Sequence, residues 1–471
     1  MSLATCNLPI EWSLITISDV VLEMVGGASP TRNDYTKSGT LVLNKGDIKK
    51  NGIISLKKKP NYIPSDFLSS NASKVVSPGA ILLTLRDLSQ KADFLGLIAH
   101  YKGQGEALIT QGMYSLNISN YLNRKLLVWY SNSSEYRFIV KSEKVGATQV
   151  HLRNQQFLNI AFPLPPLAEQ KVIADKLDTL LAQVENTQAR LERIPKILKR
   201  FRQSVLAAAV SGRLTEEWRG TSDLTGWAKI TLGGLVDKIE SGKNLKCIET
   251  PPNEGEFGII KISAVTWGIY DEKQSKTLPQ NSLFLETRRI KVGDFLISRA
   301  NTIELLGNPV IVHKVTKNLM LSDKVLRLEM KDGDKLWANI FLRSISGRQE
   351  IQGRSTGNQM SMRNIGQKAL LEIPLPKPPC EEQTEIVRHV DQLFAHADRI
   401  EQEVNQALAR VNNLTQSILA KAFRGEFTEQ WRKDNPELIS GENSASALLE
   451  RIKAERATKT PAKRTRKKAT V

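Results

Sequence analysis

The side chains in this sequence that could do chemistry are donors and acceptors suited to recognition, clustered in loops. One set runs Lys45, Lys49, Lys50, Asn51, Lys57, Lys58, Lys59 and Arg86, followed by Gln149, Arg153 and Asn154. A second runs Lys243, Asn244, Lys246, Arg288, Arg289, Arg299 and Asn301, followed by Asn358, Gln359, Arg363 and Asn364. Arginine and lysine pair with guanine edges, asparagine and glutamine with adenine edges, and all of them can reach phosphate oxygens. These residues are therefore candidate nucleic-acid contacts. The pattern Gln-x-x-x-Arg-Asn occurs twice, at 149–154 and 359–364. It reads either as a contact or as a turn leading into the strand before a Pro-Leu-Pro stretch. The lysine runs read equally as solvated loops.

Other chemistries find no support. The sequence has no Gly-x-x-x-x-Gly-Lys-Ser/Thr phosphate loop, no dinucleotide fingerprint and no Asn-Pro-Pro-Tyr-like adenine-methylation motif. Cys6, Cys247 and Cys380 are too far apart for a zinc spacing or a disulfide framework. His389 and His396 lack metal-ligating companions. Glu381-Glu382 and Glu216-Glu217 read as helix-start or solvated charge. Neither catalytic nor cofactor nor metal residues are expected on this chain. The formal charge of +18 favours a polyanionic partner. Arg451 to Val471 alone holds nine Lys/Arg against one Glu, and its end reads as a disordered basic tail. The N-terminus lacks a secretion signal, no apolar run is long enough to span a membrane, and the cysteine usage suits a reducing compartment, so a cytoplasmic location is expected.

The loops must be held by elements, and those elements repeat. Residues 169–219 align without a gap on 382–432, 213 residues later, with 16 of 51 positions identical. The identities include Glu169/Glu382, Gln170/Gln383, Gly212/Gly425, Thr215/Thr428 and Trp218-Arg219/Trp431-Arg432. Upstream, Trp12 aligns with Trp227. Mostly apolar residues alternate at spacings of three and four: Leu177, Leu180, Val184, Thr187, Leu191, Ile194, Leu198, Phe201 and Val205 in the first copy, Val390, Leu393, Ala397, Ile400, Val404, Ala407, Val411, Leu414 and Ile418 in the second. That is the seam of a coiled coil, which needs a partner. Two such helices related by a two-fold axis pack antiparallel. Pro195 breaks or kinks the first, whereas Leu408 leaves the second continuous. Gly212 and Gly425 suit the left-handed residue that ends a helix. Short β-like runs, Ile81–Leu85 and Phe138–Val140, mark the segments between.

These features resemble the specificity subunit of type I restriction–modification enzymes, most closely the enterobacterial, EcoKI-like (type IA) group. The carriers are Pro165-Pro166-Leu167-Ala168-Glu169-Gln170, Leu198-Lys199-Arg200-Phe201-Arg202-Gln203, and the run from Ala409 to Glu426. The resemblance implies an α+β multidomain chain. Two α/β target-recognition domains alternate with two long helices that pack as an antiparallel coiled coil, in a pseudo-two-fold internal repeat. The expected divisions are 1–161 and 221–372 for the recognition domains, 162–220 and 373–433 for the helical regions, and 434–471 for the C-terminal segment with its tail. The family implies a non-catalytic subunit that reads a bipartite double-stranded DNA site, where the residues alone leave open a self-contained DNA-modifying enzyme or a non-specific coiled-coil DNA-binding scaffold. Two methylation subunits and two restriction/motor subunits would join it and hold the S-adenosylmethionine, ATP and magnesium.

Overall fold

The computed structural model describes residues 8–359 and 362–459. The chain forms two compact units, Met1–Leu191 with Ala407–Val471, and Glu192–Gln406. Each gathers a mixed α/β domain and stretches of both long helical regions.

In the first unit, an antiparallel sheet orders its strands Val21–Gly26, Met113–Ile118, Ile81–Thr84 and Ile98–His100. A second sheet centres on Thr40–Leu43, antiparallel to Asn61–Ile63 and parallel to Ala107–Ile109. The second unit repeats this plan. Lys238–Ser241, Val325–Glu329, Phe295–Ser298 and Pro309–Ile311 form the larger sheet. Phe257–Ile260 is antiparallel to Ser275–Thr277 and parallel to Asn318–Met320. In both units the strand carrying or following the paired tryptophan joins the strand that enters a long helix: Ser13–Thr16 with Ala161–Leu164, and Ala228–Thr231 with Pro374–Lys377.

Phe138-Ile139-Val140, read above as β-like, lies in the helix Ser134–Glu143. The Ser133 hydroxyl caps it by accepting from the Tyr136 amide, and Tyr136 and Val140, four apart, are its buried residues. Helical spacing and a cap outweigh the β-branched pair.

The first long helical region is broken, as Pro195 predicts. One helix spans Leu167–Leu191 and the next Ile194–Val210, with Pro195 in its first turn, where a missing N–H is tolerated. The second is a single helix, Cys380–Phe423, of 44 residues. Gly212 and Gly425 adopt φ of 72° and 74°.

The pairing is antiparallel within each unit. In the first, Leu177, Leu181 and Val184 share a core with Ile418, Leu419, Ala422 and Phe423, and Lys176 Nζ donates to the Phe427 carbonyl. In the second, Val205, Leu206 and Ala209 share a core with Ile386 and Val390, and Arg202 bridges to Asp398 and Glu401 at 2.6 and 2.8 Å. Leu177, Val184, Leu198, Val205, Val390, Ala397, Val404 and Ile418 are buried. Leu180, Leu191, Leu393 and Val411 are half-buried, and Leu414, in phase with the seam, is exposed. The buried stripe instead widens to Ile173, Ala174, Leu181, Leu206 and Leu419, because the ends of these helices also pack on the α/β domains.

Those ends are fastened by a buried carboxylate. Glu169 is fully buried and accepts from Trp12 Nε1 (2.8 Å), Thr428 Oγ1 (2.6 Å) and Arg432 Nη1 (2.6 Å). Glu382 accepts from Trp227 Nε1 (2.8 Å), Thr215 Oγ1 (2.7 Å) and Arg219 Nη1. The expectation for Glu381-Glu382 is corrected here: Glu381 is solvated, but Glu382 is the core of a polar knot. Beside each, the buried Gln170 and Gln383 donate to the carbonyls of Pro165 and Pro378.

The C-terminal segment is also ordered further than its composition suggests. Ala445–Lys459 is a helix whose Leu448 and Ile452 enter the first unit's core. Ser119 Oγ bonds Glu455, and Arg456 Nη1 donates to the Ser18 carbonyl at 2.8 Å. Apolar residues four apart provide the anchor that the charge count conceals. The tail expected to be disordered runs from Lys459 to Lys468; Lys459 ends this helix, and the rest lies outside the described residues.

Glu382→Ala leaves a guanidinium, an indole N–H and a hydroxyl buried without their acceptor. The expected cost is about 3–5 kcal/mol. Amide hydrogen exchange should accelerate within 192–406 and not in the other unit, with the reverse for Glu169→Ala.

Candidate nucleic-acid interface

Part of the candidate set in each unit lies at a short strand pairing that follows a strand of the larger sheet. In the first, Arg86–Asp87 pairs with Val150–His151, placing Arg86 opposite His151 and Asp87 opposite Val150, which Gln149 precedes. Arg86, Gln149, His151, Arg153 and Asn154 are exposed. Asp87 is buried and accepts from the amides of Ser89 and Phe94, both at 2.9 Å, which shapes the turn beside Arg86. In the second unit Ala300–Asn301 pairs with Met362–Asn364, opposing Asn301 to Arg363 and Ala300 to Asn364. Thr356–Gln359 adds a third strand.

The two Gln-x-x-x-Arg-Asn stretches are not structural equivalents. Leu152 donates to the Leu85 carbonyl as Ile365 donates to that of Arg299. The helix Asn154–Leu158 matches Gln367–Leu371. The offset is thus 213, as in the long helices, and Arg153-Asn154 corresponds to Gly366-Gln367. Arg153 precedes a helix, whereas Arg363 lies in a strand. Its guanidinium holds the hairpin together, donating to Ser355 Oγ (3.1 Å), the Ser355 carbonyl (2.6 Å) and the Gly357 carbonyl. The repeated motif is a coincidence of composition displaced by three residues.

Other candidates divide by their partners. Arg288 Nη1 lies 2.8 Å from Glu240 Oε1. Arg289 bonds Glu286 and, at 2.8 Å, Asn318 Oδ1, and stacks 4.8 Å from the Phe284 ring centroid. These two serve internal structure. Asn51, at φ 63°, donates its backbone amide to Asn132 Oδ1 and its side-chain Nδ2 to Glu185 Oε1. Lys49 Nζ sits 5.1 Å from the Phe94 ring centroid. Lys50, Lys57, Lys58, Lys59, Lys243, Asn244 and Lys246 are exposed, and Lys45 and Arg299 half-exposed. Asn301 Nδ2 donates to Thr266 Oγ1 at 3.2 Å. The backbone of Asn358 belongs to the Thr356–Gln359 strand, with Gln359 exposed.

Sequence reasoning missed the network under these loops. Arg327, nearly buried, reaches Glu240 at 2.7 Å and Asp294 at 2.9 Å. Lys238 and Arg288 complete the ring around Glu240. Burial pushes the Glu240 carboxyl up, but hydrogen bonds from Lys238 and Arg327 and the charges of Arg327 and Arg288 outweigh it and hold the pKa at about 2. The missed carboxylates Glu169 and Glu382 did leave a signal: their donors Trp12/Trp227, Thr215/Thr428 and Arg219/Arg432 recur in both copies.

Among the described residues no cluster of three His, Cys, Asp or Glu could hold a metal, and no helix is long and apolar enough to cross a membrane.

The family model described as the type I restriction modification DNA specificity domain matches twice, over residues 9–196 and 225–410. The chain belongs to this family. Each matched stretch begins before the paired tryptophan and ends in a long helical region, so the family's unit is the repeat seen here. The chain is 38% identical to the type I restriction enzyme EcoKI specificity subunit of Escherichia coli (strain K12), over 98% of this chain and 99% of that one. It is 40% identical to the StySPI specificity subunit of Salmonella potsdam, over 87% of each. Among solved structures, it shares the fold of the HsdS subunit from Thermoanaerobacter tengcongensis, at 20% identity and a TM-score of 0.52, over 90% of this chain and all of that one. A chain from a structural study of type I R-M system assembly and conformational transition gives a TM-score of 0.66 at 20% identity, over 89% of this chain and 99% of that one.

Because Glu240 has a depressed pKa in the fold, its contribution is fully present above the ordinary value of 4.5 and is lost as pH falls toward about 2. The resistance of 192–406 to denaturation, followed in the full chain, should decline as pH falls across that window, and the Glu240→Gln variant should show a shallower decline.

Proposed function

We infer that this chain is the DNA sequence-reading, non-catalytic subunit of a type I restriction–modification system. The carrying observation is the doubled family match on a chain whose frame repeats while its loops differ. One repeat reads each half of a bipartite site, and the helical regions hold the non-specific spacing between them. The exposed lysines, arginines, asparagines and glutamines of both loop sets supply contacts to bases and phosphates. The charge of +18 adds a sequence-independent attraction that weakens with salt.

The partners follow from this role. Methylation subunits modify adenine in each half-site, and restriction/motor subunits cut unmethylated DNA. Two of each per chain suit the internal duplication. S-adenosylmethionine, ATP and magnesium belong to those partners, and the complex works in the cytoplasm, where host DNA is.

Replacing residues 8–160 with the matching domain of a relative should change one half-site and leave the other intact. Methylation mapping of genomic DNA from cells expressing the hybrid with its methylation subunit reads this directly. A change in both halves, or in neither, contradicts the assignment of one repeat to one half.

A further inference from the structure

The strands Thr40–Leu43 and Phe257–Ile260 hold the same place in their units, each between one antiparallel and one parallel neighbour. The loop after each exposes apolar side chains. After the first, Ile53 and Leu56 are 49% and 43% exposed, among Lys49, Lys50 and Lys57. After the second, Trp267 and Ile269 are 73% and 77% exposed, on either side of Gly268. Large apolar groups so placed need an occupant.

The second loop is rigidly mounted. Thr266 Oγ1 donates to the Ile262 carbonyl at 2.9 Å and accepts from Asn301 Nδ2 at 3.2 Å. Asn308 Nδ2 donates to the Thr266 carbonyl. Gly268 has φ +75°, and a Cβ there would lie 3.4 Å from the Arg343 guanidinium. Arg348 donates to Asn308 Oδ1 at 3.4 Å and the Glu304 carbonyl at 3.0 Å. Among the described residues neither Arg343 nor Arg348 forms an ion pair, although Arg343 lies 5.9 Å from the Phe394 ring centroid and is attracted by the Asp398 carboxylate, so two guanidiniums with only partly compensated charge stand beneath an apolar tip.

We propose that Trp267 and Ile269 are specificity residues that pack on base edges in the half-site read by the second unit, with Arg343 and Arg348 favouring the flanking phosphates. Apolar side chains read the thymine methyl group or wedge at a base step. Two observations favour DNA over a partner protein. The charge beneath the loop suits a polyanion. The loops also differ between the repeats, Ile/Leu among lysines in one and Trp-Gly-Ile in the other, whereas the helical regions still share 16 of 51 positions. A surface for two copies of one partner has reason to stay alike. Surfaces that read two different half-sites must differ.

The inference rests on the reading of the chain as a DNA-recognition subunit, and the experiment separates the two. The full chain, assembled with its methylation subunits, is used to select duplexes from a random library, as wild type, as Trp267→Ala with Ile269→Ala, and as Ile53→Ser with Leu56→Ser. Absence of any sequence preference in wild type would sink the underlying assignment. With wild type selective, the Trp267/Ile269 variant should lose about tenfold or more discrimination in one half-site only, and the Ile53/Leu56 variant should do so in the other. The slope of log affinity against log salt should not change, because no phosphate contact is removed. Unaltered preferences, or loss of co-purifying methylation subunit with preferences kept, would overturn the proposal.

Discussion

Everything else in this molecule depends on two carboxylates held out of water. Burying a carboxylate costs several kcal/mol unless it is paired and hydrogen-bonded. Glu169 and Glu382 each meet that condition with the same three donors, an indole, a threonine hydroxyl and a guanidinium. The donors come from elements that otherwise have no reason to meet: the start of an α/β domain and the turn after a long helix. In the second unit they lie close in sequence, on Thr215, Arg219 and Trp227. In the first they come from opposite ends of the chain, Trp12 against Thr428 and Arg432. The same knot forms from either connection because its geometry, not chain continuity, defines it. It fixes each α/β domain to a helix start.

On that fixed mount, the recognition surface is free to vary. The larger sheets repeat strand for strand, whereas the second sheets have four strands in one unit and three in the other, and the loops above them differ in length, charge and apolar content. Asn301 shows how a loop borrows rigidity from the frame: its backbone pairs with Arg363 and its side chain holds Thr266. A contact residue held this way loses less freedom on binding, which favours specificity.

A basic protein need not present all its cations to its ligand. Arg288, Arg289, Arg327 and Arg363 are engaged by carboxylates, carbonyls and rings of their own unit. Their charge still contributes to the field around the protein, but their donors are committed to building loops. The exposed lysines of 50–59 and 243–246 differ in having open water before them.

The helical regions, their antiparallel pairing, the break at Pro195 and the family itself were legible in the sequence. They rest on periodicity, on proline and glycine at helix ends, and on internal duplication, all of which are local or repeated signals. Three things were settled only by the tertiary structure. Glu382 looked like a solvated helix-start charge, because burial depends on Trp227, Thr215 and Arg219 arriving from elsewhere. Phe138–Val140 looked like a strand, because three apolar residues do not fix a period until Ser133 caps the turn before them. The Gln-x-x-x-Arg-Asn pair looked like a repeat, because residue identity cannot distinguish a side chain that precedes a helix from one clamped in a hairpin. A sequence specifies which groups can interact along one element. Which of them lose their water, and to whom, is decided when distant elements close around them.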